Sequence, residues 1–171
     1  MTIRKEIRDL EGNISHIETS LNSQMLLVNS GLNKGCAFSD DERHLFNILS
    51  KLPARKETLD EQVVRHYKQY LAKKSPIQKN IFLHSLNDYN ETAFYKLVSN
   101  HLEEMLPIIY TPTIGESVQR YSEETRRPRG LFLSYCDGDD FTERLQERVN
   151  EGIDVIVVTD GEGVLGIGDQ G

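Results

Sequence analysis

Apolar residues recur at Ile3, Ile7, Leu10, Ile14, Ile17, Leu21 and Val28, in alternating steps of four and three. That spacing is a heptad seam, with Ile7, Ile14, Leu21 and Val28 at one core position and Ile3, Leu10, Ile17 and Gln24 at the other. It predicts a helix over residues 1–30, with Gly12 inside it costing about 1 kcal/mol relative to alanine. Such a helix can be an oligomerisation arm or can pack on the chain's own body. Both readings stay open, and both concern assembly rather than chemistry.

Gly31 and Gly35 interrupt the pattern. Ser39 ahead of Asp40, Asp41 and Glu42 reads as a helix start, because carboxylates suit the positive end of the helix dipole. That helix should carry His44, Leu45, Phe46, Ile48 and Leu49 and end before Pro53. Thr58 and Glu61 form a capping box for a second helix with its stripe on Val63, Val64, Tyr67, Tyr70 and Leu71. Ser75-Pro76 stops it. A third helix is predicted over Ile77 to Leu86, then a turn at Asp88-Tyr89-Asn90. A fourth follows from Glu91 to Leu106, with Phe94, Leu97, Val98, Leu102 and Met105 inward and Pro107 as its stop.

The period changes after Gly130. Residues 130–135 form a compact apolar run, and Phe141 to Asn150 a charged helix. Asp154 to Thr159 is apolar on both faces, as a buried parallel strand is. Strand, helix and strand make a βαβ unit. The predicted class is α/β: a helical subdomain over 31–129, followed by the truncated start of a parallel α/β sheet over 130–171. So few strands would leave an exposed edge, and the chain is expected to be the front part of a larger enzyme.

Composition narrows the classes. A net charge of -7 over 171 residues argues against nucleic acid as a partner. No run of 18 apolar residues exists, so no membrane span is predicted. The first residues have no apolar core of the signal-peptide kind. Cys36 and Cys136 are too few for a disulfide framework or a zinc site, and read as reduced thiols of a cytoplasmic protein.

Candidate chemistry gathers in the last third. Tyr110 stands before Thr111-Pro112-Thr113. A phenol that keeps its proton until charge develops on a substrate can be a general acid, and a tyrosine packed in a core or interface fits the same local sequence. Arg126, Arg127 and Arg129 around Pro128 can grip a carboxylate or form a solvated loop. Residues 166–171 satisfy GxGxxG by letter, but a dinucleotide fingerprint also needs a following helix and a later acid. Glycines that permit a tight turn are the alternative. Asp137, Asp139 and Asp140 lack the glutamate of an EF-hand, and the five histidines show no metal-ligand spacing, so no metal site is predicted.

Several stretches together resemble the malic enzyme family. They are Tyr110-Thr-Pro-Thr, Arg126-Arg-Pro-Arg-Gly-Leu-Phe, Val157-Val-Thr-Asp-Gly-Glu and Leu165-Gly-Ile-Gly-Asp-Gln-Gly, with Leu32-Asn-Lys-Gly-Cys-Ala-Phe, Asn80-Ile-Phe-Leu and Asn90-Glu-Thr-Ala-Phe-Tyr before them. The likeness runs from about Leu32 to the end. It implies oxidation and decarboxylation of L-malate to pyruvate and CO2, with NAD or NADP and Mg or Mn, in a homodimer or higher homo-oligomer. It implies that Tyr110 is the general acid that protonates the enolpyruvate. The family's catalytic lysine, metal-binding carboxylates and main nucleotide domain would come after this stretch. The isolated chain is therefore expected to bind no cofactor and not to turn over malate. Two departures stand out. Gly163 follows Glu162 where many members have an arginine that holds substrate or cofactor. Glu-Gly at that point is frequent in malolactic enzymes, which make lactate and are the second reading, with a non-catalytic oligomerisation module as the third. Gln62 and Arg65 match two residues of the fumarate activator site of animal members, whereas Tyr89 replaces its second arginine.

Overall fold

The computed structural model describes residues 4–128, 130, 131, 133, 138, 140–147, 157 and 161–168. They form two compact units, Met1–Ile114 and Gly115–Gly171. Among the described residues the chain is mainly helical, with one small antiparallel sheet, as suits a fragment of an α/β domain.

The heptad helix over 1–30 is not what forms. Lys5–Arg8 (β1) pairs antiparallel with Ile14–Glu18 (β2), with Lys5 opposite Glu18 and Ile7 opposite His16. Among the described residues the only helix before Leu32 is short, Ser23–Leu27 (α1). Turn chemistry explains the outcome. The Asp9 carboxylate accepts from the backbone N–H groups of Glu11 and Asn13, each at 2.9 Å. Gly12 takes φ +87, where side chains are disfavoured. An Asx-type loop closed by a left-handed glycine is a hairpin signal. It overrides an apolar period that a helix could satisfy only with Gly12 in its interior.

The second element starts as its sequence indicates. Ser39 caps Asp40–Leu45 (α2), with its side chain accepting from Glu42 N and the Glu42 carboxylate accepting from Ser39 N. It stops earlier than expected, because Asn47 adopts φ 55. Ile48 N then bonds Arg43 O and Asn47 N bonds His44 O, which is the Schellman arrangement that satisfies the last carbonyls. Ile48 turns inward and joins Leu26 and Phe38 in a small core. Glu42 also receives the Lys34 ammonium at 2.7 and 2.9 Å. Partial burial pushes its carboxyl up, but Lys34 and the Ser39 N–H outweigh that and hold it below its usual 4.5. A lowered folded value means stability that is complete above 4.5 and lost as pH falls through the folded value. The stability difference between wild type and Glu42→Gln should therefore shrink steadily on acidification, read from urea midpoints at several pH values. A difference independent of pH would show that Glu42 carries no such linkage.

Leu59–Leu71 (α3) follows the Thr58–Glu61 capping box. Pro76–Tyr89 (α4) is capped by Ser75, and Glu91–Asn100 (α5) by Asn90, whose Oδ1 accepts from Ala93 N at 3.0 Å. Leu102–Ile109 (α6) completes the main core of Val63, Tyr70, Leu83, Leu86, Leu97 and Met105, among others. Burying each large side chain there contributes about 1.5–3 kcal/mol. Leu102, expected inward, is exposed.

The helix expected over 91–106 is thus two helices. His101 ends α5 and opens α6 with φ -132 and ψ 38, and its ring stacks on Tyr67 at 3.7 Å between centroids. Pro107 does not end α6 but lies inside it. A proline there removes one helical bond, at a cost of about 3 kcal/mol. Ile108 and Ile109 beyond it pack on the core, which offsets that cost. Helix Thr113–Gln119 (α7) follows.

In the second unit, Arg120 pairs with Glu116, Glu123 and Glu124. Phe141–Gln146 (α8) lies within the charged helix expected there. The strands expected at 130–135 and 154–159 fall largely outside the described residues, as do Arg129, Cys136, Asp137 and Asp139.

Candidate active site

Tyr110 sits at the joint between α6 and α7. Its N–H donates to Leu106 O and its carbonyl accepts from Ile114 N, both at 2.9 Å. The backbone is thereby held from both sides, at φ -128 and ψ -147. The last carbonyls of α6 are satisfied from elsewhere. Asn80 Nδ2 donates to Ile108 O and Thr113 Oγ1 donates to Pro107 O, each at 2.8 Å. Tyr110 is 46% exposed, and its hydroxyl has no hydrogen-bond partner among the described residues. This is a backbone held on both sides that carries an exposed tyrosine.

Neighbouring tyrosines are placed differently. Tyr70 is fully buried with the Lys79 ammonium 4.5 Å above its ring. Burial first, then the nearby Glu104 charge, pushes its phenol up to about 12. Tyr67 donates to Glu104 at 2.8 Å, and that bond raises its pKa. Tyr70 is thus closed to a substrate, and the Tyr67 hydroxyl is engaged by Glu104.

Gln62 and Arg65 lie three residues apart on α3 but spend their polar groups on different neighbours. Gln62 is 2% exposed, and its amide donates to Lys34 O at 3.1 Å. A Cβ on Gly35, which takes φ +55, would stand 2.6 Å from Gln62 Oε1, so this close approach requires glycine. Arg65 is half exposed and pairs with Glu57 at 2.9 Å. Tyr89 gives its carbonyl to Asn33 Nδ2 at 3.1 Å. The 32–38 stretch acts as a brace: Asn33 ties it to the end of α4, and the Lys34 carbonyl ties it to α3.

Gly163 is exposed, and a Cβ there would meet no atom within 4 Å. A Cβ finds room there, so close packing at that atom does not dictate the glycine. The described part of the Gly-rich turn closes on itself: Val164 N bonds Gly168 O at 2.7 Å, and both Gly168 N and Ile167 N bond Val164 O. Those N–H groups are not offered to a phosphate. Gly115 packs against this turn, with a Cβ position 3.2 Å from Gly166 O. Among the described residues no three His, Cys, Asp or Glu side chains are placed to hold a metal ion. Arg126 is partly buried and Arg127 exposed, on a stretch without regular secondary structure.

Residues 87–171 match the family described as malic enzyme, N-terminal domain. The chain is also 50% identical over 146 residues to an NAD-dependent malic enzyme of Aeromonas salmonicida (strain A449). It belongs to the malic enzyme family. That alignment covers 85% of this chain and 26% of the relative. An NAD-dependent malic enzyme of Enterobacter sp. (strain 638) is 54% identical over 140 residues, covering 82% of this chain and 25% of the relative. One of Proteus mirabilis (strain HI4320) is 51% identical over the same length. The chain thus spans about a quarter of the length of these malic enzymes. No described helix is long and apolar enough to cross a membrane.

Asn80 and Thr113 were not singled out by the sequence as site residues. A signal existed for Asn80. It lies three residues from both Ile77 and Leu83, on the buried face of α4, where an amide must find a partner.

Proposed function

We propose that this chain is the N-terminal part of an NAD-dependent malic enzyme acting in the cytoplasm, and that Tyr110 is its general acid. The observation that carries the reading is an identity near one half to proteins of that name. The anchored backbone and the exposure of Tyr110 support it. In the proposed chemistry, loss of CO2 from the oxidised substrate leaves an enolate. The Tyr110 O–H bond breaks, its proton goes to the enolate carbon, and pyruvate forms as the phenolate takes a proton from solvent. A donor anchored on rigid backbone lowers the entropy cost of that transfer.

The relatives' names favour the malic over the malolactic outcome. The test is the full-length protein incubated with L-malate, NAD and either Mg or Mn. Pyruvate and NADH should accumulate together. Lactate without net NADH would assign the malolactic reaction instead, and neither product would overturn both.

A further inference from the structure

The turn from Pro107 to Thr113 has a hydrogen-bonding problem that its own sequence cannot solve. In a continuing helix, Ile108 O would accept from the N–H four residues on, but that residue is Pro112, which has none. Pro107 O would accept from Thr111, but the backbone of Tyr110 leaves the helical region at φ -128 and ψ -147. Both carbonyls lie at a helix end and need outside donors. Asn80 reaches Ile108 O from α4, and it is fully buried. Thr113 reaches Pro107 O from the first turn of α7, and it is 5% exposed. Only the Nδ2 end of the Asn80 amide can donate to a carbonyl, so its orientation follows from the chemistry. Two buried donors on two elements thus clamp the carbonyls two and three residues ahead of Tyr110.

We propose that Asn80 and Thr113 are positioning residues, which set the direction of the Tyr110 phenol through the backbone of the 107–113 turn. The claim rests on the reading of Tyr110 as the acid. Neither side chain donates a proton to the substrate. Both act on where the donor stands, and a misplacement of about 1 Å can cost about 100-fold in rate.

The test uses the full-length protein with Asn80→Ala, Thr113→Val and Tyr110→Phe, singly and combined. Thr113→Val keeps the side chain's shape and removes only the hydroxyl, so it reports even if Asn80→Ala fails to fold. Each positioning variant should lower kcat by about 10- to 100-fold, with the KM for malate little changed. The solvent deuterium isotope effect on kcat should rise, because proton donation becomes slower. In the Tyr110→Phe background the same substitutions should cost nothing more, since residues acting through one group are not additive. Undiminished kcat in Thr113→Val, losses that multiply with that of Tyr110→Phe, or a raised KM with an unchanged isotope effect would each overturn the proposal. An active Tyr110→Phe enzyme would overturn the acid assignment itself, and that single variant separates the two failures.

Discussion

On the proposed role of Tyr110, Tyr110→Phe in the full-length protein should lower malate decarboxylation by about 100- to 10,000-fold, the range that a positioned general acid contributes. The fold should be untouched. Tyr110 is 46% exposed and its hydroxyl makes no hydrogen bond among the described residues, so removing the hydroxyl strands no buried partner among them. Surface changes of this kind stay within about 0.5 kcal/mol. Steady-state pyruvate formation and a urea unfolding curve, run side by side, measure both halves. Turnover at the wild-type rate would remove Tyr110 from the chemistry. A large fall in unfolding midpoint would make the loss of activity structural.

Arg43 should produce the largest stability effect. It is a buried cation, 3% exposed, facing three backbone carbonyls: Nε donates to Phe38 O at 3.0 Å, Nη1 to Pro53 O at 2.7 Å and Nη2 to Cys36 O at 3.2 Å. The fork joins the segment before α2 to the loop after it, around the small core of Leu26, Phe38 and Ile48. Arg43→Met keeps length and apolar contact but strips every donor. Cys36 O retains the Glu57 N–H at 3.2 Å, which softens the loss at that carbonyl. Hydrogen bonds to charged groups contribute about 1.5–3 kcal/mol each, and the relief of desolvating the cation offsets part of the sum. The expected net loss is about 2–4 kcal/mol. With a urea slope of about 2 kcal/mol/M, the midpoint should fall by about 1–2 M. Arg43→Lys should recover little, because one ammonium cannot span a three-way fork. A midpoint shift below about 0.3 M would show that solvent replaces the guanidinium without cost.

Much of the helical unit was readable because its determinants sit within four residues of one another. Ser39 with Glu42 and Thr58 with Glu61 each start a helix where the sequence places one, while Ser75-Pro76, which reads as a stop, also caps α4. Their partners are supplied by chain proximity alone, whatever the rest of the molecule does. The tyrosine was legible as a candidate for a similar reason: its motif is a short continuous string. Where local signals competed, the reading failed. The apolar period of the first thirty residues lost to the Asp9–Asn13 turn, whose side-chain bonds the heptad count ignores. Pro107 reads as a stop in the sequence, yet burial of Ile108 and Ile109 carries α6 past it.

Groups distant in sequence obey no such local rule. Asn80 finds Ile108 O, and Gln62 finds Lys34 O, each across 28 positions. Nothing near Gln62 says that its amide is already committed, and nothing near Tyr110 says what steadies the turn beneath it. Ordered residues at both ends must be brought together before either bond exists, at a cost in chain entropy that core burial covers. Caps, turn glycines and the tyrosine motif are therefore written in neighbouring letters. The bond that holds the last turn before Tyr110 depends on packing α4 against α6.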